Sequence, residues 1–186
     1  MSELCEIAYK YGTDKCPQLK HEYTPFYYEL LKDKKQSFKK IFEMGIGYED
    51  TMMHVEEYQT GASLYMWREF FPNAHIYGAD ISPEAIFQDD RITTFVCDER
   101  NKEEIEEIIK KVGSDIDLFI DDGSHNKDDQ IFLCQTVMPM LKKDVIYIIE
   151  DVIYSDTIPR KLPQYDCELK RFSNNEKIII VKNKNK

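Results

Sequence analysis

No stretch of this chain approaches the roughly 18 to 20 consecutive apolar residues that a membrane-spanning helix needs. The opening Met1-Ser2-Glu3-Leu4-Cys5-Glu6 has neither the basic nor the apolar region of a secretory signal. The reading is a soluble, cytoplasmic protein without a membrane partner. Cysteine is sparse: Cys5, Cys16, Cys97, Cys134 and Cys167 are odd in number, scattered and without a C-x-x-C pair, which argues against a zinc site and against a disulfide framework. Positive charge is short too. With a formal net charge of -10 and no Lys/Arg-rich patch apart from the tail Lys182-Asn183-Lys184-Asn185-Lys186, the chain repels phosphate backbones, so nucleic acid is not the expected partner. Linkers, internal repeats and low-complexity tracts are also missing before that tail.

What is present suits one folded domain. The 186 residues are 42% hydrophobic, with 12 Tyr and 10 Phe, enough for a sizeable core. From residue 39 onward, apolar strand-like runs alternate with helix-like segments, the pattern of a parallel sheet covered by helices. The runs predict strands near 39–46, 75–81, 91–98, 116–122 and 145–151, and helices over 63–71, 101–112 and 126–141. The helix at 101–112 carries Glu103, Glu104, Glu106, Glu107, Lys110 and Lys111, the charge of a solvated face. After residue 151 the alternation in Asp166–Phe172, the turn Ser173–Glu176 and the run Lys177–Val181 read as a closing antiparallel hairpin. The first 38 residues place Tyr23, Phe26, Tyr27 and Tyr28 in a helix, preceded by the turn Tyr11-Gly12-Thr13-Asp14-Lys15.

The chemistry gathers at strand ends. Ile116–Ile120 runs into Asp121-Asp122-Gly123-Ser124-His125, and Val145–Ile149 runs into Glu150-Asp151. Neighbouring strands therefore deliver paired carboxylates to one edge, and Asp122, Glu150 and Asp151 suit a hard divalent cation such as Mg²⁺. The same acids also suit a plainer task, starting solvated loops or capping the next helix. The first strand ends in Glu43-Met44-Gly45-Ile46-Gly47, where glycines let a ligand approach the backbone, although a tight turn uses the same residues. The next two strands end in Asp80 and Asp98, and ligands of open α/β sheets bind outside such carboxyl ends.

These features together resemble class I S-adenosylmethionine-dependent methyltransferases, with an acid-x-G-x-G loop and an acid after each of the next two strands. More narrowly, Tyr11–Lys15, Gly61-Ala62-Ser63-Leu64-Tyr65-Met66-Trp67, Phe71-Pro72-Asn73-Ala74 and Asp121–His125 look like the metal-dependent sugar O-methyltransferases of macrolide tailoring, the macrocin and mycinamicin type. The resemblance implies an α/β, Rossmann-like class I methyltransferase fold. Its sheet would be mostly parallel and seven-stranded, with an antiparallel C-terminal hairpin and helices on both faces. The whole of 1–186 would be one methyltransferase domain, with 1–38 a lid or helical segment and 39–186 the core. The cofactors implied are S-adenosylmethionine and Mg²⁺. Gly45 and Gly47 would pass the methionine part, with Glu43 anchoring the loop or the amino group, and the helix opened by Ser63 would face the carboxylate. Asp80 would hold the ribose hydroxyls and Asp98 the adenine amine, with Tyr11, Thr13 and Asp121 also on the cofactor side. Asp122, Glu150 and Asp151 would hold the metal, and His125 would be the general base.

The expected reaction is methyl transfer to a hydroxyl of a sugar or glycosylated small molecule, with a homo-oligomer an available assembly. A divalent ion would orient and acidify two adjacent hydroxyls. His125, at an ordinary histidine pKa near 6.5, would be ready to accept a proton; its plainer task is to cap the helix at Asn126. His21 and His54 read as surface histidines on segments able to fold over the cofactor, and His75 as structural. Tyr11, Lys15 and Tyr23 suit either a lid or ordinary packing. The loop Tyr48–Thr60, with Met52, Met53 and Tyr58, is apolar enough to line a substrate pocket. The antibiotic-tailoring family can carry an additional amino-terminal domain, whereas about 38 residues precede the first strand here, so macrolide specificity is not carried over. The alternatives are a phenolic or catechol acceptor, a catalytically silent cofactor-binding protein, and a nicotinamide oxidoreductase, whose glycine spacing the loop lacks.

Overall fold

Ser2 starts the first helix by accepting a hydrogen bond from the Cys5 amide at 3.3 Å, and Gly12, at φ 71°, ends it in the left-handed conformation that a glycine adopts without Cβ strain. A computed structural model describes residues 1–53 and 58–184. That helix, α1 (Glu3–Tyr11), buries Leu4, Ile7 and Ala8; α2 (Tyr23–Leu31) buries Tyr23, Thr24, Tyr27 and Leu31 along one face. The core then runs β1 (Lys40–Met44), α3 (Ala62–Phe70), β2 (His75–Asp80), β3 (Gln88–Asp89), β4 (Ile92–Val96), α4 (Lys102–Val112), β5 (Leu118–Asp121), α5 (Lys127–Val137) and β6 (Ile146–Ile149). It closes with α6 (Thr157–Lys161), β7 (Tyr165–Arg171) and β8 (Lys177–Asn183).

One sheet holds all eight strands in the order β3-β4-β2-β1-β5-β6-β8-β7. The pairs from β4 through β6 are parallel, whereas β8 lies antiparallel between β6 and β7. From β1 the chain first builds outward through β2 and β4, then returns to place β5 on the other side of β1. This reversal of direction opens a crevice at the carboxyl ends of β1 and β5, where Met44 is level with both Ala79 and Asp121.

Both faces of the sheet are covered, which is why the central strands are apolar on both sides rather than alternating. Ile41, Ile76, Leu118, Ile120 and Ile148 pack beneath residues of α1, α2 and α3, including Tyr27, Trp67 and Phe70. Phe42, Phe119, Tyr147 and Ile149 pack against Ile105 and Ile109 of α4 and Leu133 of α5. On that second face Phe42, Phe119 and Tyr147 stack across three strands, with successive ring centroids 4.9 Å apart. Removing each such side chain from water contributes about 1.5 to 3 kcal/mol. Among the described residues no helix is long and apolar enough to cross a membrane.

All the expected strands form, and the architecture is the Rossmann-like one expected. An eighth strand, β3, was not legible, because it is a two-residue polar segment whose partnership with β4 is reinforced by Thr94: its hydroxyl donates to the Phe87 carbonyl and accepts from the Phe87 amide at 2.7 Å. The helix expected to reach 141 stops at Val137, where Pro139 turns the chain into a short 3-10 segment. α1 and α6 also lie outside the predicted helices.

Candidate active site

Two backbones cross at the mouth of the crevice. The Asp122 amide donates to the Met44 carbonyl and the Gly45 amide to the Ala79 carbonyl, each at 2.8 Å. A Cβ on Gly45 (φ 86°) would sit 2.0 Å from the Asp122 carbonyl oxygen, so only glycine allows the loops after β1 and β5 to meet. Above this crossing lies a cleft of about 470 Å³. Its walls include Thr13, Glu43, Gly45, Gly47, Ser63, Asp80, Asp98, Asp122, His125, Glu150 and Asp151. Thus eleven of the residues singled out in the sequence, from seven separate segments, share one cavity. Tyr11 and Asp121 do not line it. Tyr11 donates to Glu69 at 2.7 Å on the outer surface, and Asp121, with no exposed area, points beneath the cleft toward the Tyr147 hydroxyl at 3.3 Å.

At one end the turn after β5 and the end of β6 bring three ligand atoms together. Asp122 Oδ1, His125 Nε2 and Asp151 Oδ2 lie within 4.8 Å of one another, with His125 3.1 Å from the first acid and 3.4 Å from the second. His125 and Asp151 both hold left-handed backbones, at φ 58° and 49°, unusual for residues other than glycine and a form of strain that collects at functional sites. The two carboxylate oxygens at the cleft wall fit a divalent cation, with the imidazole nitrogen beside them placed to handle a proton. Burial disfavours the imidazolium of His125, but the Asp122 hydrogen bond and the charges of Asp122 and Asp151 outweigh it and push the pKa up to about 9. The neighbouring acids thus favour the protonated imidazole, above the ordinary histidine value near 6.5.

Glu150 is placed differently from the other two acids. It is 1% exposed, and one carboxylate oxygen accepts from the Tyr27 hydroxyl at 2.5 Å while the other accepts from Lys15. The Lys15 ammonium is also 2.6 Å from Asp122 Oδ2 and 3.6 Å from Glu43 Oε1. Burial works against that charge, yet the three carboxylates hold the Lys15 pKa well above its ordinary value. Tyr23, one turn before Tyr27 on α2, donates to Asp151 Oδ1 at 2.5 Å. Burial and the nearby acids raise both phenols, so they stay hydrogen-bond donors. The amino-terminal segment thus supports the acids rather than only covering them.

At the other end the acids hold the loops in place. Glu43 accepts from the Trp67 indole at 2.6 Å, which ties the glycine loop to α3. Asp80 accepts from the amides of Ile46, Gly47 and Ser82 at 2.9, 3.1 and 2.9 Å, so it organises the glycine loop. Asp98 is gripped by the Arg100 guanidinium through two 2.9 Å contacts, and this pairing lowers its pKa. Beside it Glu99 accepts from the Ser124 amide at 2.7 Å, and its Oε2 is buried without a hydrogen-bond partner among the described residues. Ser63 lies in the first turn of α3 and lines the same cleft.

Several residues differ from the sequence expectation. His21 is not on the surface: it is 6% exposed and bridges Glu176 Oε1 at 2.7 Å and Asp14 Oδ2 at 3.4 Å, because the hairpin turn before β8 folds back onto it. His75 bonds Thr93 at 2.8 Å as a structural histidine. Met52 and Tyr58 line the cleft, Met53 is 84% exposed, and His54 lies outside the described residues. Tyr27, Glu99 and Arg100 were missed. The one local signal was the four-residue spacing of Tyr23 and Tyr27, which puts both phenols on one helix face.

No family model matches the sequence. The chain is similar to mycinamicin VI 2''-O-methyltransferase of Micromonospora griseorubida and to demethylmacrocin O-methyltransferase of Streptomyces fradiae, at 32% identity to each over 150 residues. In both cases the alignment covers 81% of this chain and 36% of the relative, so the chain spans about a third of their length. An 8-demethyl-8-alpha-L-rhamnosyl tetracenomycin-C 2'-O-methyltransferase of Streptomyces olivaceus is 29% identical, over 80% of this chain and 37% of its own. Among solved structures, the MycE methyltransferase of mycinamycin biosynthesis, in complex with Mg and SAH, superposes with a TM-score of 0.77 at 24% identity, over 98% of this chain and 55% of that one. An SAH-bound methyltransferase of Podospora anserina superposes at 0.65 and 15% identity, over 100% and 89%.

Proposed function

We propose that this chain, which has the class I methyltransferase fold and is similar to sugar O-methyltransferases over four-fifths of its length, is an S-adenosylmethionine-dependent O-methyltransferase acting on a hydroxyl of a glycosylated small molecule. The observation that carries the reading is the convergence of Asp122, His125 and Asp151 on the wall of the cleft that also holds the glycine loop. Support for a sugar acceptor comes from relatives named for hydroxyls of glycosylated compounds.

When bound, the cofactor would supply an electrophilic methyl group and a divalent ion would supply charge that orients two neighbouring hydroxyls and lowers their proton affinity. Gly45 and Gly47 would present backbone to the methionine part, and the first turn of α3 at Ser63 would offer amide hydrogens to its carboxylate. Asp80, with three amides already bound, keeps about one lone pair, on Oδ1, for a ribose hydroxyl. The Arg100 side chain and backbone amide together leave Asp98 about one lone pair, on Oδ2, for the adenine amine. Asp122 and Asp151 would hold the ion, with Glu150 joining them if Lys15 gives way.

His125 would be the general base, accepting the hydroxyl proton at Nε2. In the cation-free site its imidazolium is held by Asp122 and Asp151 and has no lone pair to offer. Charge neutralisation of those two acids would release the proton to solvent and ready the base. General-base action of this kind contributes on the order of 10² to 10⁴ in rate.

The test is isothermal titration of metal-stripped protein with S-adenosylmethionine and S-adenosylhomocysteine, repeated with Mg²⁺, followed by acceptor screens of glycosides and catechols. His125→Ala should lower turnover by about 10²- to 10⁴-fold and keep S-adenosylhomocysteine affinity within about threefold, since a lost general base acts on the transition state alone. Failure to bind either cofactor form would refute the assignment, and full turnover by His125→Ala would refute the base. Methylation of catechols in preference to glycosides would transfer the reading to a phenolic acceptor.

A further inference from the structure

Lys15 is a lysine only 2% exposed, and its ammonium enters the gap between the acids proposed to hold the divalent ion. It contacts Glu150 Oε2, Asp122 Oδ2 at 2.6 Å and Glu43 Oε1 at 3.6 Å. The second oxygen of Glu150 is taken by Tyr27, and Asp122 Oδ1 faces His125. Asp151 keeps Oδ2 toward the shared space, its Oδ1 being held by Tyr23. Glu150 is thus fully engaged and Asp122 half engaged by groups of the amino-terminal segment. A divalent ion that drew on all three acids would have to take oxygens that Lys15 now holds.

We infer that Lys15 is a positioning residue that competes with the divalent ion for Glu150 and Asp122, and that it sets how tightly the ion is held; this rests on the metal site of the proposed function. The charge balance explains why such a residue is needed. Glu43, Asp122, Glu150 and Asp151 place four carboxyl groups around the permanent cation of Lys15, burial pushes the pKa of Glu43 and Glu150 up, and among the described residues His125 and His21, whose charged form Asp151 favours, are further groups able to carry positive charge. Without a cation the buried members would repel one another in a medium that screens poorly. Lys15 holds them together while the site is empty, and its displacement subtracts from the affinity gained when an ion arrives. Because Lys15 lies on the connection between α1 and α2, its displacement also loosens that connection, which is held by the Asp14 carbonyl to the His21 amide at 2.8 Å and by the Lys15 carbonyl to the Thr24 amide at 3.1 Å.

The experiment is titration of the full chain with Mn²⁺, followed by calorimetry and by the electron paramagnetic signal of free ion. Lys15→Met, which keeps the length of the side chain and removes the charge, should bind Mn²⁺ at least tenfold more tightly than wild type; Lys15→Arg, which restores the charge, should return affinity to within about threefold. A folded Lys15→Met variant that binds equally or more weakly overturns the inference. A second measurement needs no variant: hydrogen exchange at amides 14–21 of the wild-type protein should accelerate on saturation with Mn²⁺, and unchanged exchange likewise overturns it. Wild-type protein that binds no Mn²⁺ would remove the proposed metal site itself, an outcome distinct from equal binding by the two forms.

Discussion

Replacing Gly45 with alanine tests whether the meeting of two loops holds the cleft together. Its φ of 86° lies where a side chain is strained, at a cost of about 1 to 2 kcal/mol. The added Cβ would also stand 2.0 Å from the Asp122 carbonyl oxygen, 2.5 Å from its carbon and 2.9 Å from the Gly123 nitrogen. These are backbone atoms that no rotamer can move aside, so overpacking adds about 1 to 3 kcal/mol. Gly45→Ala should therefore destabilise the protein by about 2 to 5 kcal/mol, a large fraction of the 5 to 15 kcal/mol typical of a domain. Gly12→Ala is the control: its φ is 71° and nothing lies within 4 Å of the added atom, so only the conformational cost of about 1 to 2 kcal/mol applies. Urea unfolding midpoints at unchanged slope measure both. Because the clash pushes on Asp122, Gly45→Ala should also weaken cation binding, whereas Gly12→Ala should not. Equal destabilisation by the two substitutions would refute the claim that contact, rather than backbone conformation, dominates at Gly45.

Two further predictions concern the acids and their partners. In metal-free protein the His125 imidazole should titrate near pH 9 by proton nuclear magnetic resonance and shift downward as Mg²⁺ saturates Asp122 and Asp151; a midpoint near 6.5 without Mg²⁺ would contradict the geometry. Its folded pKa is raised, so its contribution to stability is complete below about 6.5, the ordinary histidine value, and is lost as pH rises through about 9. The unfolding midpoint of the wild-type protein should accordingly decline across that window more than that of His125→Ala. Tyr27→Phe leaves Glu150 Oε1 buried without its donor and should cost about 1 to 3 kcal/mol in denaturant unfolding, and a loss below about 0.5 kcal/mol would show that another group takes its place.

The sheet was legible because its strands are buried on both faces and therefore appear as continuous runs such as Leu118 to Ile120 and Val145 to Ile149, each bounded by charge. The site was partly legible for the same reason: an acid ends an apolar run conspicuously, and Asp80, Asp98, Asp122, Glu150 and Asp151 all do so. β3 escaped because two polar residues carry no periodicity, and His21 was misjudged because nothing near it in sequence announces the hairpin turn that buries it. Tyr11 and Asp121 belong to the motifs that carried the resemblance, yet one faces Glu69 and the other the sheet's underside. A motif specifies residue order, whereas the pleat of a strand and the exit of a helix choose the direction of each side chain.

From sequence alone come the order of apolar runs, the carboxylates that end them, the glycines between β1 and the following loop, and the excess of acidic over basic residues. These are local properties, expressed through propensity, period and composition. Only the tertiary structure decides which of the acids remain available. Contacts between residues more than a hundred positions apart place Lys15 between Asp122 and Glu150 and aim Tyr23 and Tyr27 at Asp151 and Glu150. The physical reason is that charge and hydrogen bonding act through space in a poorly screening interior, so the state of a carboxylate depends on neighbours that chain separation does not reveal.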